Sequence, residues 1–230
     1  MTVKGCMFDF SGTVFRIEPA RTWLRAALDA HGLTAAEDDV AGYARLLERA
    51  GAQPGGDLPG EIPPHLERLW RDRDLSPEWH RAAYTGLSRT VALPWDVHDT
   101  LYARQRDAAA WQPYPDAEEV LRALRERGVP VAVVSNIGWD LRPVFRAHAL
   151  DGYVDAFVLS YEHGVKKPDP RIFALACDAL GVPPRDTVMV GDQAAADGGA
   201  AALGCRVLLV DPRPVAQRPD ALRGVLDLLG

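Results

Sequence analysis

Short apolar runs that lack polar alternation recur through the second part of the chain: Val129 to Val134, Ala156 to Ser160, Thr187 to Val190 and Arg206 to Val210. A strand with one wet face alternates apolar with polar residues, whereas one buried on both faces does not, so these runs predict a parallel sheet covered on both sides. The segments between them read as the covering helices. Asp116 to Arg127 has helical spacing stopped by Gly128, and Pro170 to Leu180 is stopped by Gly181, a residue suited to a helix C-terminus. One further apolar run, Val3 to Phe8, opens the chain and breaks at Asp9-Phe10-Ser11-Gly12-Thr13, where glycine and small polar residues predict a loop.

Between residues 17 and 111 the periodicity is helical. Trp23, Leu24, Ala27 and Leu28 form an apolar stripe before Gly32. Thr34 with Glu37 has the spacing of a capping box for a helix through Leu46 and Leu47, and Ser76-Pro77 places a capping residue before a proline at the first helical position. Gln53 to Pro64, rich in glycine and proline, predicts a loop. The expected fold class is therefore α/β: a Rossmann-like parallel-sheet core from residues 1–16 and 112–230, interrupted by a helical insert over 17–111.

Composition narrows the function. A chain that is 47% hydrophobic and 25% charged belongs with folded globular proteins, and a net charge of -6 argues against a nucleic-acid backbone as partner and for a small-molecule substrate. Asp9 interrupts the first apolar run too early for a signal peptide or membrane span, so a cytoplasmic protein with no membrane partner is expected, as a monomer or a homodimer. Cys6, Cys177 and Cys205 are odd in number and lack CxxC spacing, which points to buried apolar residues and to neither disulfides nor zinc. His31, His65, His80, His98, His148 and His163 show no metal-ligand spacing, and none is assigned a catalytic role. The tryptophans of the insert (Trp23, Trp70, Trp79, Trp95, Trp111) read as core with some able to line a crevice, and Arg16, beside the insert boundary, as a solvated residue able to meet an anion.

Candidate chemistry collects at the strand ends. Asp9 with Ser11 and Thr13, Ser135 with Asn136, Lys167, and Gly191-Asp192 with Asp197 each follow one of the predicted strands. Any one of these is an ordinary turn former or helix cap, but in an open parallel sheet the carboxyl ends of the strands face one crevice, so together they define a candidate site.

In this order the segments Asp9-Phe-Ser-Gly-Thr13, Ser135-Asn136, Glu162-His-Gly-Val-Lys-Lys167-Pro-Asp-Pro and Gly191-Asp192-xxxx-Asp197 resemble the haloacid dehalogenase-like hydrolase superfamily over the whole chain. The resemblance implies the HAD fold, with the insert as a helical cap that closes over the site and selects substrate. It implies Asp9 as a covalent nucleophile, Lys167 as the cation that steadies it and the phosphoryl oxygens, and Ser135 with the Asn136 amide, together with Ser11 and Thr13, as substrate-binding groups. It also implies a magnesium ion on Asp9, Asp192 and the Ser11 carbonyl, with Asp197 as support behind them. One position departs. Phosphatases of this family carry Asp-x-Asp in the first motif, the second aspartate serving as general acid and base, and Ser11 stands there. A hydroxyl has no accessible pKa near neutrality, and losing the carboxyl typically costs about 10²- to 10⁴-fold in rate. The expected activity is hydrolysis of a phosphorylated small molecule whose leaving group needs little protonation. The alternatives are hydrolysis of a carbon–halogen bond, in which halide leaves as a stable anion, and a catalytically weak binding or regulatory protein.

Overall fold

The apolar runs come together in one five-stranded sheet in which every neighbouring pair is parallel. The computed structural model describes residues 2–55, 59–220 and 222–229. In chain order the elements are β1 (Gly5–Phe8), β2 (Phe15–Ile17), α1 (Ala20–Asp29), α2 (Glu37–Arg49), α3 (Glu67–Asp72), α4 (Pro77–Arg89), α5 (His98–Gln105) and β3 (Trp111–Pro113). There follow α6 (Ala117–Glu126), β4 (Val131–Ser135), α7 (Arg142–Ala147), β5 (Ala156–Leu159), α8 (Ser160–His163), α9 (Pro170–Leu180), β6 (Thr187–Gly191), α10 (Ala194–Asp197) and β7 (Arg206–Leu209).

The sheet order β5-β4-β1-β6-β7 places β1 at the centre, with Met7 opposite Ala132 on one side and Met189 on the other. Successive side chains of β1 enter different layers, as the two-residue period of a strand requires. Cys6 and Phe8 join Val120, Leu124, Val144 and Phe145 of α6 and α7, whereas Met7 joins Ile172, Phe173 and Ala176 of α9. Both faces are dry along β1, β4 and β6, which is why these strands carry no polar alternation, whereas the edge strand β7 is part-exposed.

Helices α1, α2, α4 and α5 share a separate hydrophobic cluster containing Trp23, Leu24, Leu28, Val40, Leu47, Leu87 and Leu101. The ends of this helical segment are held side by side by a short antiparallel ribbon, β2 with β3, in which Arg16 pairs with Gln112 and Ile17 with Trp111. The ribbon was not expected from the sequence, because three-residue strands are too short to show a period, and it straddles the expected boundaries 16/17 and 111/112.

Two local expectations are corrected. The Thr34–Glu37 capping box does not form: α2 starts at Glu37 behind Ala36 with no side-chain cap, and the Glu37 carboxylate instead accepts from Arg21 and Arg25 of α1. Acidic residues at 37–39 complement the helix dipole in place of a cap. Val129 lies outside β4, since Pro130 has no N–H to donate to the ladder. The Ser76 cap forms as expected, its hydroxyl accepting from the Trp79 amide at 3.3 Å. All three cysteines are free and buried, and among the described residues no helix is long and apolar enough to cross a membrane.

Candidate active site

The sheet gathers the strand-end residues into one place. Asp9, Ser11, Ser135, Asn136, Lys167 and Asp197 line a cavity of about 120 Å³. Asp192 stands beside it, with carboxylate oxygens of Asp9, Asp192 and Asp197 all within 4.8 Å of one another. Close approach is permitted by Gly12, whose φ is +80° and where a Cβ would stand 2.5 Å from Asp192 Oδ2. Lys167 Nζ donates to Asp9 Oδ1 at 2.7 Å and to Asp197 Oδ1 at 2.6 Å. Asn136 clamps the same lysine through its main chain, accepting from Lys167 N at 2.7 Å and donating to Lys167 O at 2.9 Å. The side chain of Asn136 is thus committed to holding Lys167, and only its main-chain amide suits the oxygen-binding role that the resemblance implies.

Thr13 is the residue that does not join. It is fully buried away from the cavity, and its Oγ1 has no hydrogen-bond partner. Its carbonyl and that of Gly12 accept from Arg218 at 3.0 Å and 2.5 Å, and the guanidinium lies 3.7 Å from the ring centroid of Tyr114. Arg218 braces the loop that follows Asp9 from about 200 residues away, a partnership no local pattern signals. Arg16 lies on β2 and lines a separate surface depression.

Three carboxylates share one ammonium. Burial pushes the Asp9 carboxyl upward against the pull of Lys167, and burial with the neighbouring Asp9 and Asp197 charges raises Asp192 to about 7. For Lys167, burial opposes the charge, but Asp9 and Asp197 more than offset it and hold the ammonium above the usual lysine range. Asp192 Oδ1 is buried with no partner. An unpartnered carboxylate oxygen among surplus negative charge, in an all-oxygen donor set, fits a hard divalent cation.

The opposite wall of the cavity comes from the helical segment, through Gln53, Trp70, Arg73, Asp74, His80 and Tyr84, with Trp111 from the ribbon. Sequence reasoning missed these positions, apart from admitting tryptophans as lining, because they match no motif. Arg73 stacks 3.8 Å from the Trp70 centroid. Gly55 sits over the Ser11 hydroxyl, which is buried without a partner.

His80 is packed over Gly138 and its Nδ1 contacts Tyr102 Oη at 3.1 Å. Burial, then the Arg73 and Arg106 charges, push it down to about 3, so the ring is neutral. The unfolded chain takes up this proton below about 6.5 and the folded one does not, so stability is lost as pH falls through that window, by about 1.4 kcal/mol per unit. His80→Gln should remove this slope between pH 6.5 and 5, read from denaturant unfolding at each pH. Equal slopes in both proteins would show that the folded ring protonates normally.

These features define an α/β protein with its polar groups gathered at the carboxyl edge of a parallel sheet. The sequence profile of the haloacid dehalogenase-like hydrolases matches residues 3–204, and the chain belongs to that family. It is 31% identical over 185 residues to (S)-2-haloacid dehalogenase 4A of Burkholderia cepacia, covering 74% of this chain and 80% of that protein. It is 36% identical over 168 residues to phosphoserine phosphatase of Thermus thermophilus, covering 68% of each. A crystal structure of a dehalogenase superposes with a TM-score of 0.67 at 26% identity, covering 99% of this chain and 97% of that one. Dehalogenases and phosphatases both stand among its relatives.

Proposed function

We propose that this chain is a magnesium-dependent phosphohydrolase that uses Asp9 as a covalent nucleophile on a small phosphorylated substrate, with the helical segment as its cap. The observation that carries this reading is the cluster of Asp9, Asp192 and Asp197 around one lysine, with the unpartnered Asp192 Oδ1. Attack on carbon with halide departure has no need of that surplus charge, whereas a phosphoryl group adds negative oxygens beside Asp9 that must be offset. Magnesium held by the Asp9 and Asp192 carboxylates and the Ser11 carbonyl would supply that offset. The chain's own groups do the rest. Asp9 attacks phosphorus, Lys167 keeps the carboxylate ionised and oriented, Asp197 positions Lys167, and Ser135 with the Asn136 amide holds the transferring oxygens.

Carbon–halogen hydrolysis is the second reading, favoured by Ser11 in place of the acid and by the similarity to the Burkholderia dehalogenase. A panel of phosphate esters and 2-haloacids, assayed for phosphate and halide release with and without a chelator, separates the two. Phosphate release that a chelator abolishes supports the first, and halide release that survives it supports the second.

Magnesium at 100 times its Kd should stabilise the protein by about 2.7 kcal/mol, a rise of roughly 5–10 °C in Tm. Asp192→Ala should lose both this rise and phosphate release. A melt of the wild type indifferent to millimolar magnesium would overturn the metal assignment.

A further inference from the structure

Phosphoryl transfer from an alkoxide leaving group needs a proton donor, and the first motif has none: Ser11 holds that place, with its hydroxyl covered by Gly55. The titratable groups that line the cavity are Asp9, Arg73, Asp74, His80, Tyr84, Lys167 and Asp197. Asp9 is the nucleophile of the proposed reaction. Lys167 is bonded to two carboxylates, and Asp197 is spent on Lys167 and on the Gln193 amide at 2.9 Å. Burial raises the Tyr84 phenol, His80 is a neutral imidazole, and Arg73 keeps its proton at any accessible pH. Asp74 remains.

Its placement is built in. Asp74 precedes α4 on the wall that the helical segment contributes, is 4% exposed, and lines the same cavity as Asp9. Its carbonyl accepts from Ser160 Oγ at 2.5 Å, and the same hydroxyl accepts from the Ile137 amide at 2.9 Å. Residue 74 is therefore pinned, through Ser160, to Ile137 beside Asn136, which fixes its position against the loop that follows β4. Arg73 Nη2 stands 3.6 Å from Asp74 Oδ2.

Resting on the phosphohydrolase reading, we infer that Asp74 is the general acid and base of this enzyme, supplied by the cap in place of the missing first-motif aspartate. In the first step an Asp9 oxygen forms a bond to phosphorus, the bond from phosphorus to the leaving oxygen breaks, and the Asp74 carboxyl proton passes to that oxygen, releasing an alcohol. In the second, water attacks phosphorus and gives a proton to the Asp74 carboxylate, the bond to Asp9 breaks, and phosphate leaves with Asp74 protonated again. Leaving oxygen and incoming water both lie opposite Asp9, so one group serves both steps. Burial raises the Asp74 carboxyl above its ordinary range against the charges of Arg73, Lys166 and Lys167, which suits a group that begins protonated and whose anion is then stabilised.

The test compares kcat/KM for an alkyl phosphate and an aryl phosphate under saturating magnesium in wild type, Asp74→Asn and Asp74→Ala. Alkyl phosphate hydrolysis should fall about 10²- to 10⁴-fold in both variants and aryl phosphate hydrolysis by less than about 10-fold, because the departing phenolate needs little protonation. Residual aryl turnover reports a folded site, and added formate should restore alkyl turnover to Asp74→Ala. An unchanged alkyl-to-aryl ratio in the variants overturns this inference and leaves the phosphohydrolase reading standing. A wild type that releases phosphate from neither ester overturns both.

Discussion

Asp9→Asn should fold as well as the wild type and lose turnover on the order of 10⁶-fold, the scale reached when a nucleophile is removed and only binding and electrostatic stabilisation remain. The amide oxygen can still accept from Lys167, whose ammonium keeps its bond of 2.6 Å to Asp197. What disappears is the attacking oxygen lone pair with full anionic charge. One of three crowded carboxylates also disappears, and with it part of the repulsion that raises Asp192. Without magnesium the variant should therefore melt no lower than the wild type. Steady-state assays with paired thermal melts check both halves, and near wild-type turnover in the folded variant would remove Asp9 from the chemistry.

Lys167→Ala should be the most destabilising single change at the site. The side chain is 3% exposed and is the cation bonded to both Asp9 and Asp197. Removing one partner of a buried pair leaves uncompensated charge and costs about 3–5 kcal/mol, roughly 6–20 °C in Tm for a chain of this size. The pH dependence has a definite sign. With no ammonium nearby, the buried Asp9 and Asp192 carboxyls, both already raised in the wild type, bind protons more tightly in the folded chain than in the unfolded one, so the variant is most stable in acid and loses stability as pH rises through their folded values, near 7 for Asp192 already in the wild type. The gap in melting temperature between the two proteins should accordingly be wider at pH 8 than at pH 5. A gap that does not change with pH would mean that Lys167 contributes packing rather than charge. Activity should be lost at either pH, since the Lys167 ammonium is the cation that orients the Asp9 carboxylate.

The core was legible in the sequence because its signal is local. Strands dry on both faces are apolar along nearly their whole length, and a parallel sheet joined by helices delivers its strand ends to one edge, so Asp9, Ser135, Lys167 and Asp197 could be placed together from their order alone. The capping box at Thr34 was legible and wrong, because the two arginines of α1 offered Glu37 a better partner than a local turn did. Proximity within the motifs misled at Thr13 as well: two residues beyond Ser11 the loop turns inward, and Arg218 takes its carbonyl from the far end of the chain.

By itself the sequence determined the class of fold, the nucleophile candidate and the serine at position 11, all of which depend on residue type and spacing along the chain. Only the tertiary structure decided what faces that site. Arg73, Asp74 and His80 belong to a segment whose own sequence says only that it is helical, and they meet Asp9 because the β2–β3 ribbon and the Ser160 hydroxyl fix that segment across the sheet edge. Their chemistry, a neutral histidine and a carboxyl raised by burial, comes from removal from water, which exists only once the two surfaces have closed on each other.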